Sequence, residues 1–215
     1  MSFRCAIFDL DGVLVDTAKY HYLAWKELAD ELGFEFSPEQ NEQLKGVSRM
    51  TSCNLLLKIG GIQDRFSDAE KERMAAGKNA RYVEYISGMD RSELLDGTPE
   101  LLQKLKKKGV KIALGSASRN APLILKNVGI SSLFDAVIDG NRISSAKPDP
   151  EVFTLGADSL HIPYPACLVF EDSEAGLQAA KRAGMYAVGI GDRKHLPSAD
   201  VIYPGIKEFP TDKYF

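Results

Sequence analysis

Five short, mostly apolar runs, each separated from the next by helical periodicity, constrain this chain more than any other feature. They are Cys5-Ala6-Ile7-Phe8, Val110 to Leu114, Ala136 to Ile138, Cys167 to Phe170 and Tyr186 to Ile190. Runs of this length and composition read as strands buried on both faces. Strands that alternate with helices pair in parallel, so the pattern predicts an α/β fold whose parallel sheet is covered by helices on both sides. Sheets of this kind bind ligands beyond the carboxyl ends of their strands.

The first two strands are separated by a long block with no strand pattern. Tyr20, Leu23, Ala24, Glu27, Leu28 and Leu32 recur at helical steps ahead of Gly33, a helix stop. Ser37-Pro38-Glu39-Gln40 supplies a hydroxyl cap, a proline at the first helical position and a glutamine three residues after the cap. It predicts a short helix ending near Lys45-Gly46. Further helices are expected from Arg49 to Lys58 and from Ser67-Asp68-Ala69-Glu70 through Tyr82 and Ile86. The block therefore reads as a small helical bundle inserted into the sheet domain. Residues 1–15 and 92–215 form the expected core and 16–91 the insertion, with Gly12 to Thr17 and Gly88 to Gly97 as hinges. In the core, Asn120 and Ser173 are expected to cap the helices that follow them.

Composition narrows the partners. The 215 residues carry 27 basic and 30 acidic side chains, a net charge of -3, and no basic block of the kind that binds nucleic acid or an anionic membrane. No apolar stretch is long enough for a membrane span, and no amino-terminal leader pattern is present. The three cysteines, Cys5, Cys53 and Cys167, lack metal-type spacing, and the two that fall in expected strands, Cys5 and Cys167, read as buried thiols. A cytoplasmic protein is the expectation.

The first strand stops on Asp9-Leu10-Asp11-Gly12. Two unpaired carboxylates are costly to bury, so they either face a cleft and a cation or sit solvated in an Asp-Gly turn. The strand ends that follow decide between these. Ser116 comes after Leu114-Gly115, Lys147 after the Ile138 strand, and Glu171-Asp172 directly after Phe170.

At these residues the chain resembles the haloacid dehalogenase superfamily of phosphoryl-transfer enzymes. The motifs are Asp9-Leu10-Asp11-Gly12-Val13, Gly115-Ser116-Ala117-Ser118, Lys147-Pro148 and Glu171-Asp172-Ser173, in order over nearly the whole chain. The resemblance implies a Rossmann-like core with a helical cap and one Mg2+ per monomer. The ion would be held by the carboxylates of Asp9 and Asp172 and the main-chain carbonyl of Asp11, with Glu171 close by. Asp9 would be the nucleophile and Asp11 the general acid and base, while Lys147 and Ser116 would neutralise and bind the transferring group.

The inserted block resembles the cap of the beta-phosphoglucomutase family through Asp16-Thr17-Ala18-Lys19-Tyr20-His21, Ala24-Trp25-Lys26, the segment Asn41 to Arg49, and Lys78-Asn79. That likeness implies an isomerase that interconverts beta-glucose 1-phosphate and glucose 6-phosphate. The expected route runs through a phosphoaspartate and a bound beta-glucose 1,6-bisphosphate. It assigns substrate binding to Thr17, His21, Trp25, Lys45, Gly46, Ser48, Arg49 and Lys78 in the cap and to Ala117, Ser118 and Asn120 in the core. Arg49 offers a bidentate fork for a second, non-transferring phosphate. Arg119 departs from the family pattern, where a lysine is familiar. The expected partners are small sugar phosphates, with neither nucleic acid nor membrane, and the expected state is a monomer. A Mg2+-dependent sugar-phosphate phosphatase on the same fold is the alternative.

Overall fold

The computed structural model describes residues 2–44 and 47–215. Its strands are β1 (Cys5–Phe8), β2 (Lys111–Gly115), β3 (Ala136–Ile138), β4 (Cys167–Glu171), β5 (Tyr186–Ile190) and β6 (Val201–Tyr203). They form one parallel sheet in the order β3-β2-β1-β4-β5-β6. The strand order reverses at β1, so the crevice beside its carboxyl end is the topological switch point of the sheet. Phe8 at the end of β1 pairs with Leu114 on one side and Phe170 on the other. That register brings the residues just past all three strands to one edge.

β6 was not among the expected strands. It is a three-residue edge strand, half-buried and flanked by Asp200 and Pro204, too short to show a periodicity.

The period-2 alternation of β1 feeds two cores. Ala6 and Phe8 pack on the face of α5 (Thr98–Lys107) and α6 (Ala121–Asn127), with Leu102, Leu105 and Ile124. Cys5 and Ile7 face α7 (Glu151–Ser159) and α8 (Glu174–Arg182), with Phe153 and Leu177. A short terminal helix, Thr211–Tyr214, buries Tyr214 against the first of these cores. The three cysteines are buried free thiols.

Between β1 and α5 lie α1 (Ala18–Glu31), α2 (Pro38–Asn41), α3 (Arg49–Ile59) and α4 (Asp68–Ser87). They enclose a separate core of Trp25, Leu28, Phe36, Leu44, Cys53, Leu56, Leu57 and Ala75. Leu23, expected on the buried face of α1, is instead 41% exposed. The helix turns Ala24, Trp25, Leu28 and Ala29 inward, because that face packs on α4. The two connectors to the sheet run side by side: Leu95 N–H donates to the Leu14 carbonyl at 3.0 Å and Asp16 N–H to that of Glu93 at 3.0 Å. No helix among the described residues is long and apolar enough to cross a membrane.

Ser37, Ser48 and Ser173 cap their helices through their hydroxyls. Asn120 does not; its side-chain amide donates to Asn79 Oδ1 on α4 at 2.9 Å.

Candidate active site

The turn after β1 sets the floor of the site. Gly12 has φ +75, and a Cβ there would lie 2.1 Å from Asp172 Oδ2. Only glycine lets the β1 turn approach the end of β4 this closely. Asp9, Glu171 and Asp172 each bring a carboxylate oxygen within 4.8 Å of one another.

Lys147 stands against this group. Its Nζ donates to Asp9 Oδ1 at 2.6 Å and Glu171 Oε1 at 2.5 Å, and all three residues are buried. Burial works against the Lys147 charge, yet Asp9 and Glu171 hold its ammonium well above the ordinary lysine range. Burial pushes Asp9 up to about 7, while Lys147 pulls it the other way. The other oxygen of Glu171 accepts from the backbone N–H and the hydroxyl of Ser173, both at 2.8 Å. Glu171 thus spends its oxygens on Lys147 and Ser173, and of these three carboxylates Asp9 and Asp172 line the cavity. Three carboxylates against one ammonium leave a surplus of negative charge on hard oxygen donors, a set that fits a divalent cation such as Mg2+.

Asp11 lies one step further out. The Thr17 hydroxyl donates to Asp11 Oδ1. Burial nevertheless holds the Asp11 carboxyl above its ordinary value, toward the protonated form a general acid needs. His21 Nε2 lies 3.8 Å from Asp11 Oδ1, and its Nδ1 is 2.9 Å from Lys78 Nζ. Burial and the charges of Lys78 and Arg49 push His21 well below its usual range. The imidazole is therefore neutral, with Nδ1 as acceptor from Lys78 and Nε2–H turned toward Asp11. Lys78 is buried over the rings of Trp25 at 4.6 Å and Tyr82 at 4.7 Å, and burial, with Arg49, brings it down to about 7.

Above the floor is a cavity of about 500 Å3 between the sheet edge and the helical block. Of the expected substrate-binding residues, His21, Trp25, Ser48, Arg49, Lys78, Ala117, Ser118 and Asn120 line it, as does Ser116. Ser48 also caps α3, accepting from Thr51 N–H at 3.1 Å. The loop after β2 is held by its own hydroxyls, Ser118 N–H donating to Ser116 Oγ at 3.1 Å and Asn120 N–H to Ser118 Oγ at 3.2 Å.

Thr17 does not reach the cavity. It is fully buried beneath Asp11 and serves that carboxylate rather than a ligand. Lys147 and Glu171 likewise lie behind Asp9, outside the cavity lining. Lys45 and Gly46 fall outside the described residues.

Arg119, Asn79 and Asn41, none of them among the expected substrate-binding residues, also line the cavity. Arg119 follows the β2 loop and is close enough to Arg49 for their charges to oppose each other. Two guanidinium groups lining one cavity, one from α3 and one from the loop after β2, are a donor set suited to a multiply charged anion. Its position one residue after Ser118 at a strand edge was the available signal.

A model of the haloacid dehalogenase-like hydrolase family matches residues 3–184. The chain is 42% identical over 199 residues to the beta-phosphoglucomutase of Bacillus subtilis (strain 168), covering 93% of this chain and 88% of that protein. It is 30% identical over 209 residues to the phosphorylated carbohydrates phosphatase of Thermotoga maritima, covering 93% and 92%. Among solved structures, the beta-phosphoglucomutase of Clostridium difficile superimposes with a TM-score of 0.93 at 38% identity, covering 98% of this chain and 95% of that one. The chain belongs to the haloacid dehalogenase-like hydrolase family, in the branch that holds the beta-phosphoglucomutases.

Proposed function

We propose that the protein is a beta-phosphoglucomutase, moving a phosphoryl group between the 1- and 6-positions of beta-glucose by way of Asp9. The observation that carries this reading is the pairing of two sites in one cavity. Asp9 and Asp11 stand at the floor, and Arg49 from the helical block and Arg119 from the sheet domain line the same cavity. A mutase must hold one phosphate for transfer and a second at a distance, which a phosphatase for a monophosphate need not do. The relatives support the same reading.

When bound, Mg2+ at Asp9, Asp172 and the main-chain carbonyl of Asp11 would supply charge neutralisation that lets a carboxylate approach a phosphate. Asp9 attacks the phosphorus of beta-glucose 1,6-bisphosphate, forming an aspartyl phosphate, and Asp11 protonates the departing sugar oxygen. A sugar monophosphate in the opposite orientation then attacks, with Asp11 taking the proton from its hydroxyl. Lys147 holds Asp9 in place and balances the charge gathering at its oxygens. Ser116 and the amides of its loop bind the transferring oxygens. Arg49, Arg119, Ser118 and Asn120 hold the other phosphate. Residues 16–91 act as a cap whose hinges are the paired connectors at Leu14–Leu95 and Asp16–Glu93, and closure excludes water from the aspartyl phosphate. The enzyme acts as a cytoplasmic monomer on small sugar phosphates.

Phosphorus NMR of the protein with Mg2+, beta-glucose 1-phosphate and a trace of the 1,6-bisphosphate tests this. The expected result is growth of the glucose 6-phosphate resonance with little free phosphate. Stoichiometric free phosphate without isomerisation would instead make the protein a sugar-phosphate phosphatase.

A further inference from the structure

Tyr82 is a buried group that the mechanism above leaves unused. Its side chain is 1% exposed, and its hydroxyl has no hydrogen-bond partner among the described residues. A buried hydroxyl left without a partner is costly, so its presence calls for a reason. Its place supplies one. The ring stacks on His21 with centroids 4.0 Å apart and planes 26° apart, and Lys78 Nζ lies 4.7 Å from the same ring. Burial pushes the Tyr82 hydroxyl well above its ordinary range, and Asp11 and Thr17, the two groups that already share a hydrogen bond, lie near enough to act on it. Thr17 donates its proton to Asp11, so its oxygen still has lone pairs to accept another.

We propose that Tyr82 is a positioning residue for the acid–base carboxyl, its hydroxyl donating to the Thr17–Asp11 pair as the cap settles while its ring holds His21 against Asp11. The inference rests on the reading of Asp11 as the proton-transfer group of a sugar phosphomutase. Tyr82 touches neither substrate nor phosphorus. It acts by fixing the carboxyl that moves the proton, from the helix α4 that also carries Lys78. Tyr82 and Asp11 lie on opposite sides of the connector, so the contact ties the position of the helical block to readiness for proton transfer.

The test compares two reactions of the same site in the wild type and in Tyr82→Phe, with Mg2+ present. Aspartyl phosphate formation from acetyl phosphate expels acetate, which leaves without a proton from Asp11. Conversion of beta-glucose 1-phosphate to glucose 6-phosphate needs Asp11 at every transfer. Tyr82→Phe keeps the ring and removes only the hydroxyl. It is expected to lower kcat of the sugar reaction roughly tenfold, with KM within about twofold and acetyl phosphate loading unchanged. Tyr82→Leu also removes the stack on His21 and is expected to lower the sugar kcat further. Equal losses in both reactions would reduce Tyr82 to a structural role, and an unchanged sugar kcat in Tyr82→Phe would remove the hydroxyl from the account. The wild-type arm reports separately on the mutase reading, because a wild type that loads from acetyl phosphate but makes no glucose 6-phosphate contradicts that reading and not the ratio between the variants.

Discussion

Lys147 Nζ lies 2.6 Å from Asp9 Oδ1, and the two side chains are 0% and 8% exposed. A nucleophile and its counter-charge this close and this dry share one electrostatic state. Removing the ammonium strands Asp9 and Glu171 as buried acids. Lys147→Met is therefore expected to cost roughly 3–5 kcal/mol of stability. Aspartyl phosphate formation should slow about 10²- to 10³-fold. Urea melts and acid-quench trapping measure the two effects; a variant as stable and as readily phosphorylated as the wild type would contradict the assignment.

Gly12 is where a single methyl group reaches the cation site. Alanine there meets Asp172 Oδ2 at 2.1 Å and adopts a left-handed backbone. Gly12→Ala should lose about 1–2 kcal/mol of stability from the backbone alone. Displacement of Asp172 should raise the Mg2+ concentration for half-maximal activity, and a Mg2+ titration that matches the wild type would show that Asp172 is not a ligand.

Lys78 gives the fold a pH dependence of known sign. Its folded pKa is about 7, lowered from 10.5 chiefly by burial. Between roughly pH 7 and 10.5 the unfolded chain binds the extra proton, so this residue makes stability rise with pH across that window. Lys78→Met should flatten the rise and be more stable than the wild type at pH 7, since it removes a buried ammonium. It should also lose activity, because His21 then lacks its Nδ1 partner. Urea midpoints at pH 7 and pH 10 for both proteins decide it, and parallel slopes would refute the Lys78 origin.

The two guanidinium groups of the cavity separate mutase from hydrolase chemistry. Arg49→Ala or Arg119→Ala should raise KM for beta-glucose 1-phosphate about tenfold or more, in line with loss of a charge-assisted contact. Hydrolysis of acetyl phosphate, which has no second phosphate, should stay near the wild-type rate. Steady-state kinetics on both substrates make the comparison, and equal losses would remove the arginines from the distal-phosphate role.

Much of the floor of the site was legible because Asp9, Ser116 and Asp172 each directly follow a strand. Asp9 after Phe8, Ser116 after Gly115 and Asp172 after Glu171 are placed by parallel register alone, and the register is what the apolar runs encode. The walls were less legible. Thr17 and His21 sit four residues apart on one helix start, yet one is buried under Asp11 and the other faces the cavity. Only the packing of α1 on α4 separates them, and it also turns Leu23 outward. Asn120 looked like a cap because its type and place fit one, but the partner that claims its amide, Asn79, comes from another element. Tyr82 carried helical periodicity and nothing more in the sequence; its hydroxyl gains meaning only from Thr17 and Asp11 beside it.

The most direct test of the account follows one phosphoryl group through one turnover. The protein is phosphorylated with isotopically labelled acetyl phosphate in the presence of Mg2+, freed of excess donor, and mixed with beta-glucose 1-phosphate or with buffer. The label is expected to leave Asp9 for the sugar, appearing in beta-glucose 1,6-bisphosphate much faster than it is lost in buffer. Release of the label as inorganic phosphate, at the same rate with and without the sugar, would contradict it.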